Sequence, residues 1–331
     1  MRTLRRVQDA LPLRTLGAKL LLTALLLWGV TTFTFLLIEL SPGTVVDKFI
    51  GPDFPPEQRA QLIVRYGLDQ PAWVRYLKLL AGYLQGDLGL SLTQERPVTT
   101  IIGEALPHTL LLSSVTLLVI YPVGVALGTL QAVWQGRRAD LALSVGALFF
   151  YAMPVFWLAL VLQLFAPSLG LPSAGMHDAV EYDLMTPAEQ LWDRLRHLVL
   201  PGLAMGLASA AGVARYMRSS VLEVIRQDYI RTARAKGLPE WRVILHHALP
   251  NALLPILTLI GLSLPALVGG SVLVETVFAW PGMGKLIIDA IYAKDTPLIL
   301  GCFLLFSLVV ALGNLLADLL YALADPRIRY R

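Results

Sequence analysis

Apolar residues in this chain fall into six long runs separated by polar segments. A helix needs about 20 consecutive apolar residues to cross the hydrocarbon of a bilayer. Backbone N–H and C=O groups in hydrocarbon must be paired within their own segment, so each run is predicted to be a helix. The runs are Leu20–Leu40, Leu106–Val133, Leu141–Phe165, Leu198–Tyr216, Ala252–Val274 and Leu298–Leu323. The pattern therefore predicts an all-α integral membrane protein with six transmembrane helices.

The charged residues alternate in sign between the segments that flank these runs. The basic segments are residues 1–19, 135–139, 215–251 and 324–331, and the acidic ones lie within 167–197 and 275–297. Short loops rich in Lys and Arg stay on the cytoplasmic side of a membrane. Both termini and the connection 215–251 are therefore predicted to be cytoplasmic.

Residues 41–105 lie on the opposite side and are too many for the charge rule to apply. Several prolines and a mixed charge predict a small folded external insertion, in which Trp73, Tyr76, Leu77 and Leu80 recur at helical spacing. A cap on the helix bundle and a separate ligand site both fit this pattern. The predicted organisation is a tail (1–19), a first helix (20–40), this insertion, a five-helix core (106–323) and a second tail (324–331).

Composition supports the membrane assignment and excludes several kinds of chemistry. Hydrophobic residues make up 56% of the 331 residues and charged residues 15%, which is more apolar than a soluble domain. The single cysteine, Cys302, excludes an internal disulfide and a cysteine metal site. The chain has no phosphate-binding loop, no His-Glu-x-x-His and no Gly-x-Ser-x-Gly. We predict no enzymatic activity, no cofactor, no metal and no nucleic-acid partner.

The most informative stretch is 228–251, DYIRTARAKGLPEWRVILHHALPN, which predicts two short helices broken at Gly237. Glycine supplies the left-handed conformation that ends the first helix, Tyr229–Lys236. Pro239 suits the first turn of the second helix, Pro250 is expected to end it and Asn251 to cap the next span. The second helix is expected to present one apolar face, formed by Trp241, Ile244, Leu245 and Ala248. By spacing alone, this face either docks into a groove of a soluble partner or lies on anionic lipid.

This stretch resembles the EAA motif of permease subunits of ATP-binding-cassette importers. The motif is Glu-Ala-Ala, three residues, Gly, nine residues, Ile, one residue, Leu-Pro, and the spacing here agrees. Arg231 replaces its Glu and His247 its Ile, departures that fit the dipeptide and oligopeptide branch, in which RTARAKG is common. The motif places coupling to an ATPase subunit at Arg231, Thr232, Ala233, Ala235, Lys236, Gly237, Leu249 and Pro250.

The resemblance covers nearly the whole chain, including the stretches Ala214–Ile230, Gly269–Ile291 and Ala317–Tyr330. It implies the type I importer permease fold and a place in the inner or plasma membrane of a prokaryote. It also implies the partners: a second permease in a heterodimer, two ATP-hydrolysing subunits and an external solute-binding protein. An outer mouth facing that protein is expected at Glu275, Trp280, Pro281 and Gly282.

The solute is the least determined property. The branch that the chain resembles carries dipeptides, longer peptides, nickel chelates, glutathione and some sugars, and peptides are the favoured prediction. A stand-alone secondary carrier is the alternative from another class. Such a carrier would lack a docking loop and would more often place charged residues in its spans for ion coupling.

Overall fold

The computed structural model describes residues 13–43, 55–263 and 272–324. In this part of the chain the regular structure is helical, apart from one isolated β-bridge between Leu90 and Pro97. The helices are α1 (Leu13–Leu40), α2 (Pro56–Arg65), α3 (Ala72–Leu84), α4 (Val98–Val133), α5 (Arg138–Ala152), α6 (Val155–Phe165), α7 (Pro187–Ile225), α8 (Asp228–Ala235), α9 (Glu240–Arg242), α10 (Leu249–Ala252), α11 (Leu254–Ser263), α12 (Val272–Val277), α13 (Met283–Ala293) and α14 (Thr296–Ala324).

Four segments of these helices are long and apolar enough to cross a membrane: Gly17–Leu40, Val98–Val133, Pro187–Ile225 and Thr296–Leu315. Two bent pairs of helices raise the number to six if each pair is one span. One pair is α5 with α6, and the other joins Glu240–Ala252 to Leu254–Ile260. The described residues therefore hold four to six candidate spans. Part of the predicted fifth span, residues 264–271, lies outside the described residues.

The third predicted span is not one continuous helix. Helices α5 and α6 meet at Met153 and Pro154 with a bend of 102°. A residue before proline is pushed out of the helical region, and Met153 is indeed extended, with φ −74° and ψ 132°. The prediction of a single helix over Leu141–Phe165 was wrong because Pro154 interrupts it.

The fourth predicted run belongs to a much longer helix, because α7 has 39 residues. Its start is fixed by a capping box, in which the Thr186 hydroxyl and backbone N–H both donate to Glu189 Oε2 at 2.8 Å. Pro187 occupies the first turn, where its missing N–H costs nothing. Helix α7 therefore extends into both of the connections that flank Leu198–Tyr216.

Contacts divide the chain into two compact units, residues 1–109 with 281–331 and residues 110–280. In the first unit, α1 packs along α14, and the insertion helix α3 packs on α1. Arg75 makes a bidentate ion pair with Glu39 at 2.6 and 2.8 Å. Tyr76 hydrogen-bonds Thr32 at 2.6 Å. The insertion therefore contacts the bundle, although the four predicted residues do not form one buried face, because Trp73 and Leu77 are exposed.

The insertion is also attached to the last helix through a buried carboxylate. Asp295 Oδ2 accepts hydrogen bonds from the Ser91 hydroxyl at 2.6 Å and the Thr93 hydroxyl at 2.7 Å. Its Oδ1 accepts from the backbone N–H of Leu298 at 3.2 Å, at the start of α14. An unpaired buried carboxylate would be costly, and these donors compensate it.

In the second unit, α4 and α7 approach closely through glycines. A Cβ at Gly128 would lie 2.4 Å from the carbonyl oxygen of Ala214, and one at Gly206 would lie 2.5 Å from Val119. Such contacts are closer than side chains tolerate, so both positions require glycine for this packing. Gly206 belongs to a repeat of small residues at four-residue spacing on α7, with Gly202 and Ala210, and Gly124 and Gly128 form a matching pair on α4.

Candidate functional site

The hairpin 228–252 begins with α8, which ends in a Schellman motif. The N–H of Leu238 donates to Ala233 O at 3.4 Å, and that of Gly237 donates to Arg234 O at 2.9 Å. Gly237 has φ +78°, in the left-handed region where a side chain costs about 1–2 kcal/mol. The structure therefore confirms the predicted end of the first helix at Gly237.

The hairpin has an apolar core of its own. The buried residues are Ile230, Ala233, Val243, Ile244 and Ala248, packed against the partly buried Val224, Ile225 and Leu238. Two of these neighbours, Val224 and Ile225, belong to the last turn of α7. The hairpin is therefore packed against the end of α7 as well as closed upon itself.

The predicted apolar face of the second helix is buried within this chain only at Ile244 and Ala248. Residues Val243–Ala248 form a π-helix, in which each turn holds an extra residue. Val243 and Ala248, five residues apart, are both buried, whereas Trp241 is 56% and Leu245 50% exposed. Pro250 lies directly after this wider turn. Because proline lacks an N–H and crowds the preceding turn, we infer that the π-helix accommodates it.

Pro250 does not end the helix, because α10 continues through it to Ala252. The bend of 48° comes at Leu253, before α11. Proline distorts the helix on its N-terminal side, and Pro255 stands two residues beyond the bend. The next helix, α11, thus begins at Leu254, three residues later than Asn251.

Asn251 has a different role from the predicted cap. Its Nδ2 donates to the Tyr229 hydroxyl at 2.9 Å and to the backbone oxygen of His247 at 3.1 Å. The contact joins the first turn of α8 to α10. Asn251 therefore closes the hairpin at its base.

The hairpin leads directly back to α7. Ala252 is buried among Val213, Met217 and Val221 of α7 and Ile256 of α11. Its carbonyl oxygen accepts a hydrogen bond from the Ser220 hydroxyl at 2.9 Å. A displacement of the hairpin would consequently act on the packed interface between α7 and α11.

The residues matched by the EAA-like motif are divided between two environments. Arg231, Thr232, Ala235, Lys236, Gly237 and Pro250 are exposed, Leu249 is partly buried, and Ala233 is buried in the hairpin core. The structure brings the exposed residues of α8 to its outer surface. Ala233 instead contributes to folding of the hairpin, since its carbonyl also accepts the bond from Leu238.

Two further features shape the outer surface of the hairpin. Arg234 reaches around the turn and binds Glu240 through Nη2 at 2.6 Å and Nε at 3.1 Å. Arg242 lies over the Trp241 ring, 5.2 Å from its centroid. The paired Arg234 and Glu240 are partly exposed, so their interaction contributes about 1 kcal/mol or less. Exposed apolar and basic groups thus lie side by side on this surface.

The expected outer mouth is a second Schellman motif, at the end of α12. The N–H of Trp280 donates to Glu275 O at 2.8 Å, and that of Ala279 donates to Thr276 O at 3.2 Å. Ala279 occupies the left-handed position with φ +48°. Glu275, Trp280 and Gly282 are buried, and Pro281 is exposed. Helix α13 follows directly after Gly282.

Among residues 13–43, 55–263 and 272–324, no three His, Cys, Asp or Glu side chains are grouped to hold a metal ion. His246 and His247 lie in the π-helix, where the His246 ring is 6.1 Å from that of Trp241.

Comparison with known proteins shows a match to one family and similarity to several permeases. Residues 124–330 match the family described as "Binding-protein-dependent transport system inner membrane component". The oligopeptide transport system permease protein AppB of Bacillus subtilis (strain 168) is 39% identical over 308 residues, covering 92% of this chain and 96% of AppB. The di/tripeptide transport system permease protein DppB of Pseudomonas aeruginosa (strain UCBPP-PA14) is 41% identical over 320 residues, covering 92% and 95%.

The dipeptide transport system permease protein DppB of Escherichia coli (strain K12) is 38% identical over 321 residues, covering 92% and 95%. Among solved structures, a chain of the inward-facing MetNI methionine ABC transporter aligns with a TM-score of 0.47 and 21% identity, covering 66% of this chain and 95% of that one. On the strength of the family match and these relatives, the chain belongs to the family of binding-protein-dependent transport system inner membrane components and is a permease subunit of an ATP-binding-cassette importer.

Proposed function

We propose that this permease forms half of a translocation pathway for di- or oligopeptides and takes its mechanical input through the hairpin 228–252. The peptide assignment is supported by relatives at 38–41% identity that are named as peptide permeases. Nickel chelates, glutathione and sugars are the alternative solutes. A stand-alone secondary carrier is disfavoured because the family is one of binding-protein-dependent systems.

The proposed partners are a second, distinct permease, two ATP-binding subunits and an external solute-binding protein. The proposed topology has six spans, each bent pair counting as one, with both termini and the connection 215–251 on the cytoplasmic side of a prokaryotic inner membrane. The predicted division into tails, insertion and five-helix core belongs to this topology. The basic residues of the connection support it through the positive-inside rule.

The observation that carries the coupling proposal is the two-sided construction of the hairpin. Its inner side is packed on itself and on α7, while Arg231, Thr232, Ala235 and Lys236 remain exposed on α8. An ATPase subunit that binds this outer side moves the hairpin as one body. Because Ala252 is buried against α7 and held by Ser220, the movement reaches the spans. Closure of the ATPases then favours one arrangement of the bundle through differential affinity.

Gly237 offers a direct test. A Cβ at Gly237 would meet nothing within 4 Å in its own chain, so a side chain there adds bulk to the outer surface. Asparagine tolerates the left-handed conformation, and Gly237→Asn should therefore leave the hairpin folded. We expect the reconstituted transporter to keep ATP hydrolysis but lose most uptake, measured in proteoliposomes at equal abundance of the subunit.

Gly136→Asn is the matched control. Gly136 also has a left-handed φ, +75°, and open space around its Cβ. It lies in the turn between α4 and α5, so this variant should transport normally. Normal uptake by Gly237→Asn would contradict docking at this surface. A secondary carrier would be revealed by uptake that resists vanadate and stops with a protonophore.

A further inference from the structure

A cavity of about 250 Å³, lined by both polar and apolar side chains, lies beside α7. Its lining combines Gln131 from α4, Ser144, Ala147, Leu148 and Tyr151 from α5, and Ala211, Arg215 and Arg218 from α7. All of these residues belong to the unit 110–280. The coupling role proposed above uses none of them.

Several hydrogen-bonding groups in this cavity have no partner among the residues that the structure describes. Gln131 is only 3% exposed, yet its side-chain amide makes no hydrogen bond there. Arg218 Nε is buried and likewise without an acceptor. Buried polar groups are nearly always hydrogen-bonded, and an unpaired donor costs about 1–3 kcal/mol. The donors of this cavity therefore need a hydrogen-bond acceptor, and the described part of the chain does not supply one.

The charges around the cavity favour an anion. Arg218 Nη2 pairs with Asp140 at 2.9 Å, so one of the two guanidinium groups is neutralised. Arg215 has no carboxylate partner in the described chain, and it lies over the Tyr151 ring at 5.6 Å from the centroid. A guanidinium above an aromatic ring still has N–H donors with which to bind an oxyanion. The cavity consequently carries one uncompensated positive charge.

The position of the cavity identifies the source of that oxyanion. Residues 198–214 of α7 contain no charged side chain, and Arg215 is the first charge after them. In a membrane protein such a residue lies where hydrocarbon gives way to headgroups. Leu148 lines the cavity and is exposed, and with Leu141 and Val145 it forms an exposed apolar stripe along α5. A phosphate in the cavity would thus have apolar surface beside it for an acyl chain.

We propose that this cavity binds the phosphate of an anionic phospholipid. Basic pockets between membrane helices are suited to such headgroups. The phosphate oxygens would accept hydrogen bonds from Arg215 and the Gln131 amide, which line the cavity. A bound headgroup would join α4, α5 and α7, adding a charged contact to the packing between these helices.

Lipid retention by the transporter, extracted with its partner subunits, tests this site. The wild type and three variants are exchanged into nanodiscs that contain phosphatidylglycerol and phosphatidylcholine, and the bound lipid is measured by native mass spectrometry. The variants are Arg215→Gln, Gln131→Leu and Arg226→Gln. Arg226 is the matched control because it is an exposed arginine at the end of α7, outside the cavity. We expect Arg215→Gln to retain about fivefold less phosphatidylglycerol, the effect of one basic residue near the surface.

The control variant should retain as much phosphatidylglycerol as the wild type. An equal loss in Arg215→Gln and Arg226→Gln would overturn the proposal in favour of diffuse charge attraction.

Glycerol 3-phosphate, added as a soluble competitor, provides the second arm. If it displaces the lipid at micromolar concentration, the source of the oxyanion is a soluble phosphate, and the lipid proposal fails. If Arg215→Gln instead releases the second permease at unchanged lipid content, the cavity is a subunit contact.

Discussion

The side chain of Asn251 donates a hydrogen bond to the hydroxyl of Tyr229 over 2.9 Å, and this contact closes the base of the hairpin 228–252. The same amide also donates to His247 O at 3.1 Å. The side chain of Asn251 therefore ties the end of the hairpin to its beginning, at Tyr229. A docked partner that moves α8 acts on α10 through this contact as well as through the apolar core.

A double-mutant cycle measures the contribution of this contact. Tyr229→Phe removes one hydrogen bond of Asn251, whereas Asn251→Ala removes both. We expect the double variant to behave nearly like Asn251→Ala alone, because the further bond from the Tyr229 hydroxyl to His247 O is long, at 3.5 Å. Each hydrogen bond of Asn251 should contribute about 0.5–1.5 kcal/mol. The readouts are thermal unfolding in detergent and the number of ATP molecules hydrolysed per solute imported. Tyr216→Phe is the control, since the exposed Tyr216 hydroxyl has no partner in the described chain, and additive effects would show that Tyr229 and Asn251 act independently.

Gly128 should not tolerate even one methyl group. Its Cβ would lie 2.4 Å from Ala214 O and 2.9 Å from the backbone nitrogen of Arg218, so α4 and α7 must separate. We expect Gly128→Ala to destabilise the protein by about 1–3 kcal/mol, measured as a lower melting temperature in detergent. Gly146→Ala, on α5, meets nothing within 4 Å and should be neutral or stabilising. Equal melting temperatures for the two variants would contradict this close packing.

Replacing Ala279 with glycine should stabilise the protein. It holds the left-handed position of the second Schellman motif with φ +48°, where glycine carries no steric cost. We expect Ala279→Gly to raise stability by up to about 1 kcal/mol after the greater chain entropy of glycine is subtracted. Ala81→Gly, at an exposed position within α3, should lower it by about 0.5–1 kcal/mol. A fall in melting temperature for both variants would show that φ at residue 279 is not left-handed.

The stability of the loop between α6 and α7 should depend on pH, because the loop is held by the carboxylate of Asp178. The backbone N–H groups of Glu181 and Val180 donate to Asp178 Oδ1 at 2.8 Å, and these bonds lower the pKa of its carboxyl group. A lowered pKa in the folded state means that the stabilisation is complete above the ordinary carboxyl pKa, near 4. It is lost as the pH falls through the lowered value.

Hydrogen exchange of residues 178–186, corrected for intrinsic rates, tests this dependence. Protection should be constant from neutral pH down to about 5 and decrease below about 4. Asp178→Asn accepts the same bonds more weakly and should show lower protection with no such decrease. A wild-type loop whose protection rises on acidification would contradict the assignment.

The residues of the hairpin show how far sequence reasoning extends. The turn at Gly237 is local, because a glycine after a helical run determines it, and the prediction was confirmed. Of the predicted apolar face, Ile244 and Ala248 are buried, whereas Trp241 and Leu245 are exposed. Val243 is buried as well, because the π-helix Val243–Ala248 adds one residue to the turn, and it packs with Ala248 against Ile230 and Ala233 of α8. Periodicity alone carries no information about it.

By itself, the sequence determined the all-helical membrane class, the position of the hairpin and its membership of an importer permease family. These properties follow from apolar length, charge alternation and a motif of fixed spacing, all of which are local along the chain. The tertiary structure alone decided that Asn251 binds Tyr229, that Gly128 lies against Ala214 and that Arg215, Arg218 and Gln131 share a cavity. Each of these pairs residues from different helices or turns. Their approach depends on how side chains pack, which residue spacing does not specify.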